Sequence, residues 1–312
     1  MISGVLFTIA ACLCWSLVFV IPSFMKEFHP LEIALGRFFI YGFISVLFII
    51  TKKRILFSRK YLGNWKKGFY LASLSSMVCY TATICNMIYT GPMIATLVFA
   101  MSPICISLIG NWHKKEYPFK NLVIPLSLMI LGVFLANFKG GDASDFSSIT
   151  FLIGLFFGII GLGSWSWFAV ANSHFLKQNK NLASGDWALI LGTCTFIQVI
   201  LIGSLFFTFS ETRDKYYTFS SEIQNFVLFS VLLGTVSTWV ALFFWNHGSR
   251  KIPISLSGQL MIFEIIFAII LLSFFENKMP SIAELLGIIL MIFGVLTGFK
   301  KIKPMPAIET DF

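Results

Sequence analysis

Long apolar runs follow one another along the chain, separated by short polar stretches. They fall at 2–22, 31–51, 68–90, 92–112, 121–138, 150–173, 186–208, 226–247, 253–275 and 281–299. Most are about 18–24 residues, the length a helix needs to cross the hydrocarbon layer. Inside lipid every backbone N–H and C=O must be satisfied within the segment, so each run is expected to be a helix. The apolar/polar alternation of a membrane β-barrel strand is absent. The run from Ile2 to Pro22 is longer than a cleaved leader core and reads as the first span. The expected fold is an all-α integral membrane protein of ten transmembrane helices.

Composition agrees with that pattern. Hydrophobic residues make up 57% and charged residues 12%, against roughly 25% charge in soluble domains. The 36 Phe residues suit contact with acyl chains. The net charge of +9 does not indicate nucleic acid, because Lys and Arg sit in the short loops, where they set membrane orientation. Lys52, Lys53, Arg54, Arg59, Lys60, Lys66 and Lys67 fill the loop after the second run. Lys114, Lys115 and Lys120 follow the fourth, and Lys177, Lys180, Arg250, Lys251, Lys300, Lys301 and Lys303 lie after later even-numbered runs. Those seventeen face only five on the other side: Lys26, Lys139, Arg213, Lys215 and Lys278. The bias predicts that both termini are cytoplasmic. Six cysteines all lie in apolar runs without CxxC or Cys/His spacing, so they read as small buried residues rather than disulfides or zinc ligands.

The chain also repeats itself. Cys14-Trp15-Ser16 matches Ser164-Trp165-Ser166, and Gly4 matches Gly154, both at an offset of 150. Leu128 to Val133 matches Leu290 to Val295 at an offset of 162, and Glu116 and Glu276 each close a fourth helix of a half. Two repeats of five helices are expected, over 1–140 and 141–312. Five is odd, so the second must enter the membrane from the opposite side. Such inverted repeats recur in transporters, with the substrate site near the midplane between them.

On these residues the sequence resembles the drug/metabolite transporter superfamily, in its EamA-like ten-helix branch. The likeness rests on the early Cys-Trp-Ser, on Pro30-Leu31-Glu32 leading to Gly36-Arg37-Phe38, on Gly91-Pro92, Ala95-Thr96 and Ser102-Pro103, and on the Gly-Val pair ending each half. It implies a carrier working by alternating access, with a central cavity formed by spans one to four and six to nine, and spans five and ten peripheral. The chain departs from symmetry at one place. Where the fourth span has Ser102-Pro103-Ile104, the ninth has Ile262-Phe263-Glu264, a carboxylate and no proline.

Few polar residues lie deep in the spans, and these are the candidates for solute contact. Glu264 sits roughly 15 Å into the ninth span and Arg37 about 9 Å into the second, at helical rise. Ionisable residues at such depth face a cavity or a partner. Glu264 suits a cationic group or a proton, Arg37 a carboxylate held bidentately. A structural tie between helices is the plainer reading for both, and the two could pair as a gate. Trp15 and Trp165 lie away from the interfacial level where Trp anchors, and could line a cavity or pack between repeats. Tyr80, Asn86, Trp239 and Gln259 complete the set, although neutral polar residues in spans more often join helices. Gly154 and Gly158 form a GxxxG of the helix-packing kind.

No Walker A, HExxH or paired acidic motif occurs, so neither ATP hydrolysis nor an intramembrane active site is indicated, and no cofactor or metal is called for. The expected function is secondary transport of a small metabolite, an amino acid or related zwitterion, drawing on a proton or other ion gradient. An organic cation such as a quaternary amine is the alternative substrate. A membrane scaffold or an intramembrane enzyme is the alternative class. The expected partners are a small-molecule substrate and the lipid bilayer, and the lean loops and short termini lead to the expectation of a bacterial inner membrane. Transport direction and oligomeric state, a homodimer among the options, stay open.

Overall fold

The computed structural model describes residues 1–58, 61–114, 118–137, 149–209, 216–217, 220–275, 277 and 279–299. The sequence matches at Glu116 and Glu276, and the boundary at 140, lie outside these residues. Ten apolar helices run through the described part: α1 (Ile2–Phe24), α2 (Pro30–Lys52), α3 (Leu62–Thr90), α4 (Pro92–Phe99 and Ser102–Lys114), α5 (Phe119–Asn137), α6 (Ile149–Gln178), α7 (Ser184–Phe209), α8 (Ser221–Ser249), α9 (Ile254–Leu260 and Ile262–Phe275) and α10 (Ile282–Phe299). Nine are long and apolar enough to cross a bilayer, and the apolar stretch of α10, Ile282–Gly298, is shorter. The helices run several residues beyond the apolar runs at many ends.

Local chemistry fixes those ends. His29 caps α2, its ring accepting from Leu31 N while Glu32 accepts from His29 N at 2.7 Å, a reciprocal box. Ser281 and Glu284 form the same box at α10. Gly91 has φ +85°, a conformation open to glycine, and this lets α3 turn sharply into α4. Four helices are irregular in matching places. α3 widens to a π-turn at Ser73–Val78 and α8 at Thr235–Val240. α4 breaks between Phe99 and Ser102, ahead of Pro103, and α9 breaks at Met261 without any proline. The missing proline therefore does not leave α9 continuous.

The main helix contacts are kept when helix numbers are shifted by five. α1 packs on α8 and α9, as α6 packs on α3 and α4; α2 packs on α8, as α7 packs on α3; α2 with α7, α4 with α9 and α5 with α10 map onto themselves. The α5–α10 seam shows the exchange at atomic level. A Cβ on Gly132 would lie 2.7 Å from Met291 Cγ, and one on Gly294 would lie 2.7 Å from Met129 Cγ. The sequence match at offset 162 thus joins two surfaces that seat each other.

Contacts at the helix ends give relative direction. Near the start of α1, a Cβ on Gly4 would meet Ile252 Cγ2 at 2.7 Å. Near the end of α6, Lys177 Nζ donates to Ile252 O at 2.6 Å. The first residues of α1 and the last of α6 therefore share one end of the bundle. Arg250, after α8, donates to Leu182 O and Asn179 O before α7, and Lys53 after α2 pairs with Asp186 in α7 at 3.1 Å. This end carries the Lys/Arg-rich loops. The arrangement is compatible with two oppositely inserted five-helix halves. At the opposite end Phe28 stacks on Phe226 at 4.5 Å beside Tyr216. Burial pushes the Tyr216 phenol up, with the Glu32 carboxylate adding to it.

Large apolar side chains such as Phe43, Leu47, Phe156, Leu205 and Phe293 stay exposed around the outside of the bundle. In water such a surface would drive aggregation, and against acyl chains it is solvated.

Candidate functional site

A small pocket, about 40 Å³ in volume, lies inside the bundle, bounded by α1, α2, α3, α6, α7 and α8. The first half contributes Trp15, Arg37, Phe38, Tyr41, Ser75, Ser76 and Tyr80. The second contributes Trp165, Phe168, Leu191, Thr195, Thr238 and Leu242. Neither α4 nor α9 reaches its wall, so the cavity is narrower in its parentage than the eight helices the resemblance implies. α5 and α10 stand outside it.

Arg37 is the one charged group on the lining among the described residues. It is buried, and its guanidinium is held by both π-wound helices. Nε donates to Thr238 Oγ1 at 2.6 Å and Nη2 to Ser237 O at 3.0 Å, both in the α8 π-turn. Nη1 donates to the Tyr80 hydroxyl on α3, just past the other π-turn. Three of the five N–H donors are thereby used and two remain. The guanidinium carbon also lies 5.2 Å from the centre of the Phe38 ring and 5.1 Å from that of Tyr80. A π-turn widens the helix and leaves backbone carbonyls poorly matched to their own helix, and Arg37 supplies the Ser237 carbonyl with a charged donor.

The tryptophans form the facing wall. Trp15 and Trp165 meet edge to face at 5.5 Å, and Trp15 meets Trp245 at the same distance. The buried Trp165 indole nitrogen has no hydrogen-bond partner among the described residues. Ser76 and Thr195 hydroxyls, 3.5 Å apart, join α3 to α7 at the pocket.

Of the residues singled out in the sequence, the fold thus brings together Trp15, Arg37, Tyr80 and Trp165. Asn86 lies in the α3–α6 seam, where it accepts from Thr90 Oγ1 at 2.9 Å and touches Gly158. Trp239 points away from the pocket and stacks between Phe48 and Phe243. Gln259 is buried against Gly298 in α10. Glu264 begins the second segment of α9, next to the break at Met261, and keeps 8% of its surface exposed. Its carboxyl group feels the charge of Arg37 and lies near Cys12, but makes no side-chain hydrogen bond or ion pair within 4 Å among the described residues. The two side chains are therefore not closed on each other as a gate in this conformation.

Thr238, Tyr41 and the Ser75-Ser76 pair were not singled out. Small hydroxyls in an apolar run carry little sequence signal, though the Ser73 to Ser76 stretch has three serines in four residues.

Comparison with known proteins agrees with this architecture. Residues 2–138 match the EamA-like transporter family. The chain is 24% identical over 319 residues to the inner membrane protein YtfF of Escherichia coli (strain K12), covering 99% of each. It is 21% identical over 211 residues to the uncharacterized transporter YyaM of Bacillus subtilis (strain 168), covering 67% of this chain and 65% of that one. A solved crystal structure of a protein 18% identical in sequence superposes with a TM-score of 0.75, covering 95% of this chain and 96% of the other, and shows the shared fold.

Proposed function

We propose that the chain is an EamA-like membrane transporter that carries an amino acid or related zwitterion by alternating access between two five-helix repeats, residues 1–140 and 141–312; the family match over residues 2–138 and the likeness to YtfF support the transporter part of this reading. The observation that carries this reading is Arg37 on the pocket wall with two N–H donors to spare. A planar fork of that kind suits a carboxylate. The faces of Trp15 and Trp165 suit the ammonium end of the same solute. The Lys/Arg bias supports cytoplasmic termini, and the likeness to YtfF supports a bacterial inner membrane.

A quaternary amine is the second reading, favoured by the tryptophan pair. Arg37 weighs against it, since a cation in a pocket whose lining carries a positive charge and no carboxylate is repelled. Counterflow in proteoliposomes separates the two. Labelled amino acids should exchange in the wild type and not in Arg37→Ala. Exchange of a quaternary amine but of no amino acid would replace the first reading with the second. Chemical conversion of the solute during exchange would remove both in favour of an enzyme.

A further inference from the structure

A second space, about 230 Å³ in volume, lies between α3, α4 and α6 and is separate from the solute pocket. Its origin is in the way α3 and α6 cross. At one end Gly154, Gly158 and Gly161 let the backbones touch, and a Cβ on them would meet Thr90, Asn86 and Thr83 at 2.6, 2.5 and 2.9 Å. Toward Gln178 the helices diverge around Ile109 of α4, leaving a groove walled by Val170, Ala171 and Phe175. From Gln178 to Trp167 is eleven residues, or about 16 Å of helix.

The groove has a polar mouth at the Lys/Arg-rich end of the bundle. Lys67 lines it, its ammonium 5.3 Å from the Tyr70 ring centre, and the Tyr70 hydroxyl accepts from Trp167 Nε1 at 3.1 Å. No carboxylate lines the groove, and Lys67 has no acidic partner among the described residues. On the two-repeat reading, an offset of 150 carries Phe24 onto His174, and one of 162 carries Lys67 onto Phe229. At the matching gap between α1, α8 and α9 the rings of Phe24, Phe229 and Phe275 close on one another, with Phe24 5.8 Å from Phe229 and 5.6 Å from Phe275. One gap is thus filled by the protein's own side chains, and the other is open and topped by a cation.

We propose that the α3–α4–α6 groove is a binding site for an anionic phospholipid, with its phosphate on Lys67 and an acyl chain along Val170, Ala171 and Phe175. The leaflet is the one at the Lys/Arg-rich face. A cation near a headgroup phosphate gives preference for anionic lipid, and an apolar slot in a bilayer is filled by hydrocarbon.

The test is native mass spectrometry of the full chain after equal delipidation from phosphatidylglycerol or phosphatidylcholine. The wild type should retain one phosphatidylglycerol with a preference of about fivefold. Lys67→Ala should abolish the preference, Lys67→Arg should restore it, and Lys66→Ala, exposed and off the lining, should leave it intact. Ala171→Phe should remove retention by filling the slot. Equal retention of both lipids by the wild type would overturn the site, as would an unchanged preference in Lys67→Ala. Protection from thermal unfolding by glycerol 3-phosphate equal to that by phosphatidylglycerol would also overturn it, because a chain-free anion does not use the slot. Solute counterflow plays no part in these readouts, so the lipid site and the transport reading fail separately.

Discussion

Arg37 Nε and Thr238 Oγ1 lie 2.6 Å apart, joining α2 to the single stretch of α8 that is wound as a π-turn. The neighbouring Ser237 carbonyl takes a second donor from the same guanidinium. A charge placed in the bilayer interior is tolerated when it is surrounded by acceptors, and here the irregular helix provides them. The grip uses three of the guanidinium's five N–H donors and leaves two unspent.

Thr238→Val keeps the shape of the side chain and removes the acceptor. A hydrogen bond to a charged group, made between helices in a membrane, is worth on the order of 1–2 kcal/mol. We expect a corresponding loss in unfolding free energy, read by denaturant titration in detergent, and a drop in counterflow larger than that loss alone would give. Counterflow equal to wild type would mean that the clasp does not orient Arg37 for the solute.

The ten spans and the Lys/Arg asymmetry are legible in the sequence because both are properties of composition over long windows. The site is legible only in part, because helix irregularity changes which face a residue presents. Trp239 looks like a cavity residue and Thr238 does not, yet Thr238 meets Arg37 and Trp239 stacks outside on Phe48. Adjacent helical positions point about 100° apart, and no residue pattern in 235–240 announces the π-turn that sets the phase. The α9 break is similarly hidden, since Met261 is an ordinary helix former. Gln259 and Asn86 show the opposite limit: polar residues in spans were readable as special, but the seams that hold them depend on Gly298 and Gly158, far away in the chain.

Helix contact through glycine makes a second prediction. A Cβ on Gly42 would lie 2.7 Å from Phe196 Cα, a backbone atom that cannot swing aside. Gly42→Ala should lower stability by about 1–3 kcal/mol, the usual effect of overpacking. Gly163 lies within α6 with nothing within 4 Å of its Cβ position, so Gly163→Ala should be neutral or stabilising by up to about 1 kcal/mol. Thermal shift of the two purified variants checks the contrast.

Topology can be checked in cells. Alkaline phosphatase fused after Lys26, between α1 and α2, should be active, and fused after Asn179, between α6 and α7, should be inactive, if the Lys/Arg-rich face is cytoplasmic. A cytoplasmic fluorescent reporter should give the reverse pattern. Activity at both sites would contradict opposite insertion of α1 and α6, which the shared contact of Gly4 and Lys177 with the Ile252 region requires.

The carboxyl group of Glu264 is buried without a side-chain hydrogen bond or ion pair among the described residues. It sits at the α9 break, within electrostatic reach of Arg37 but off the pocket lining. A structural tie would show a partner, and a solute contact would show on the wall. A group of this kind is suited to take and release a proton as α9 moves, which couples a gradient to the solute without the two touching. Glu264→Gln keeps the size and fixes the charge at zero. We expect it to exchange labelled solute across proteoliposomes at a rate within about twofold of wild type, while losing accumulation driven by a proton gradient, a split that follows if the side chain carries the driving ion and not the cargo. Equal loss of exchange and accumulation would return Glu264 to the solute site or the scaffold, and the thermal stability of the variant would tell those two apart.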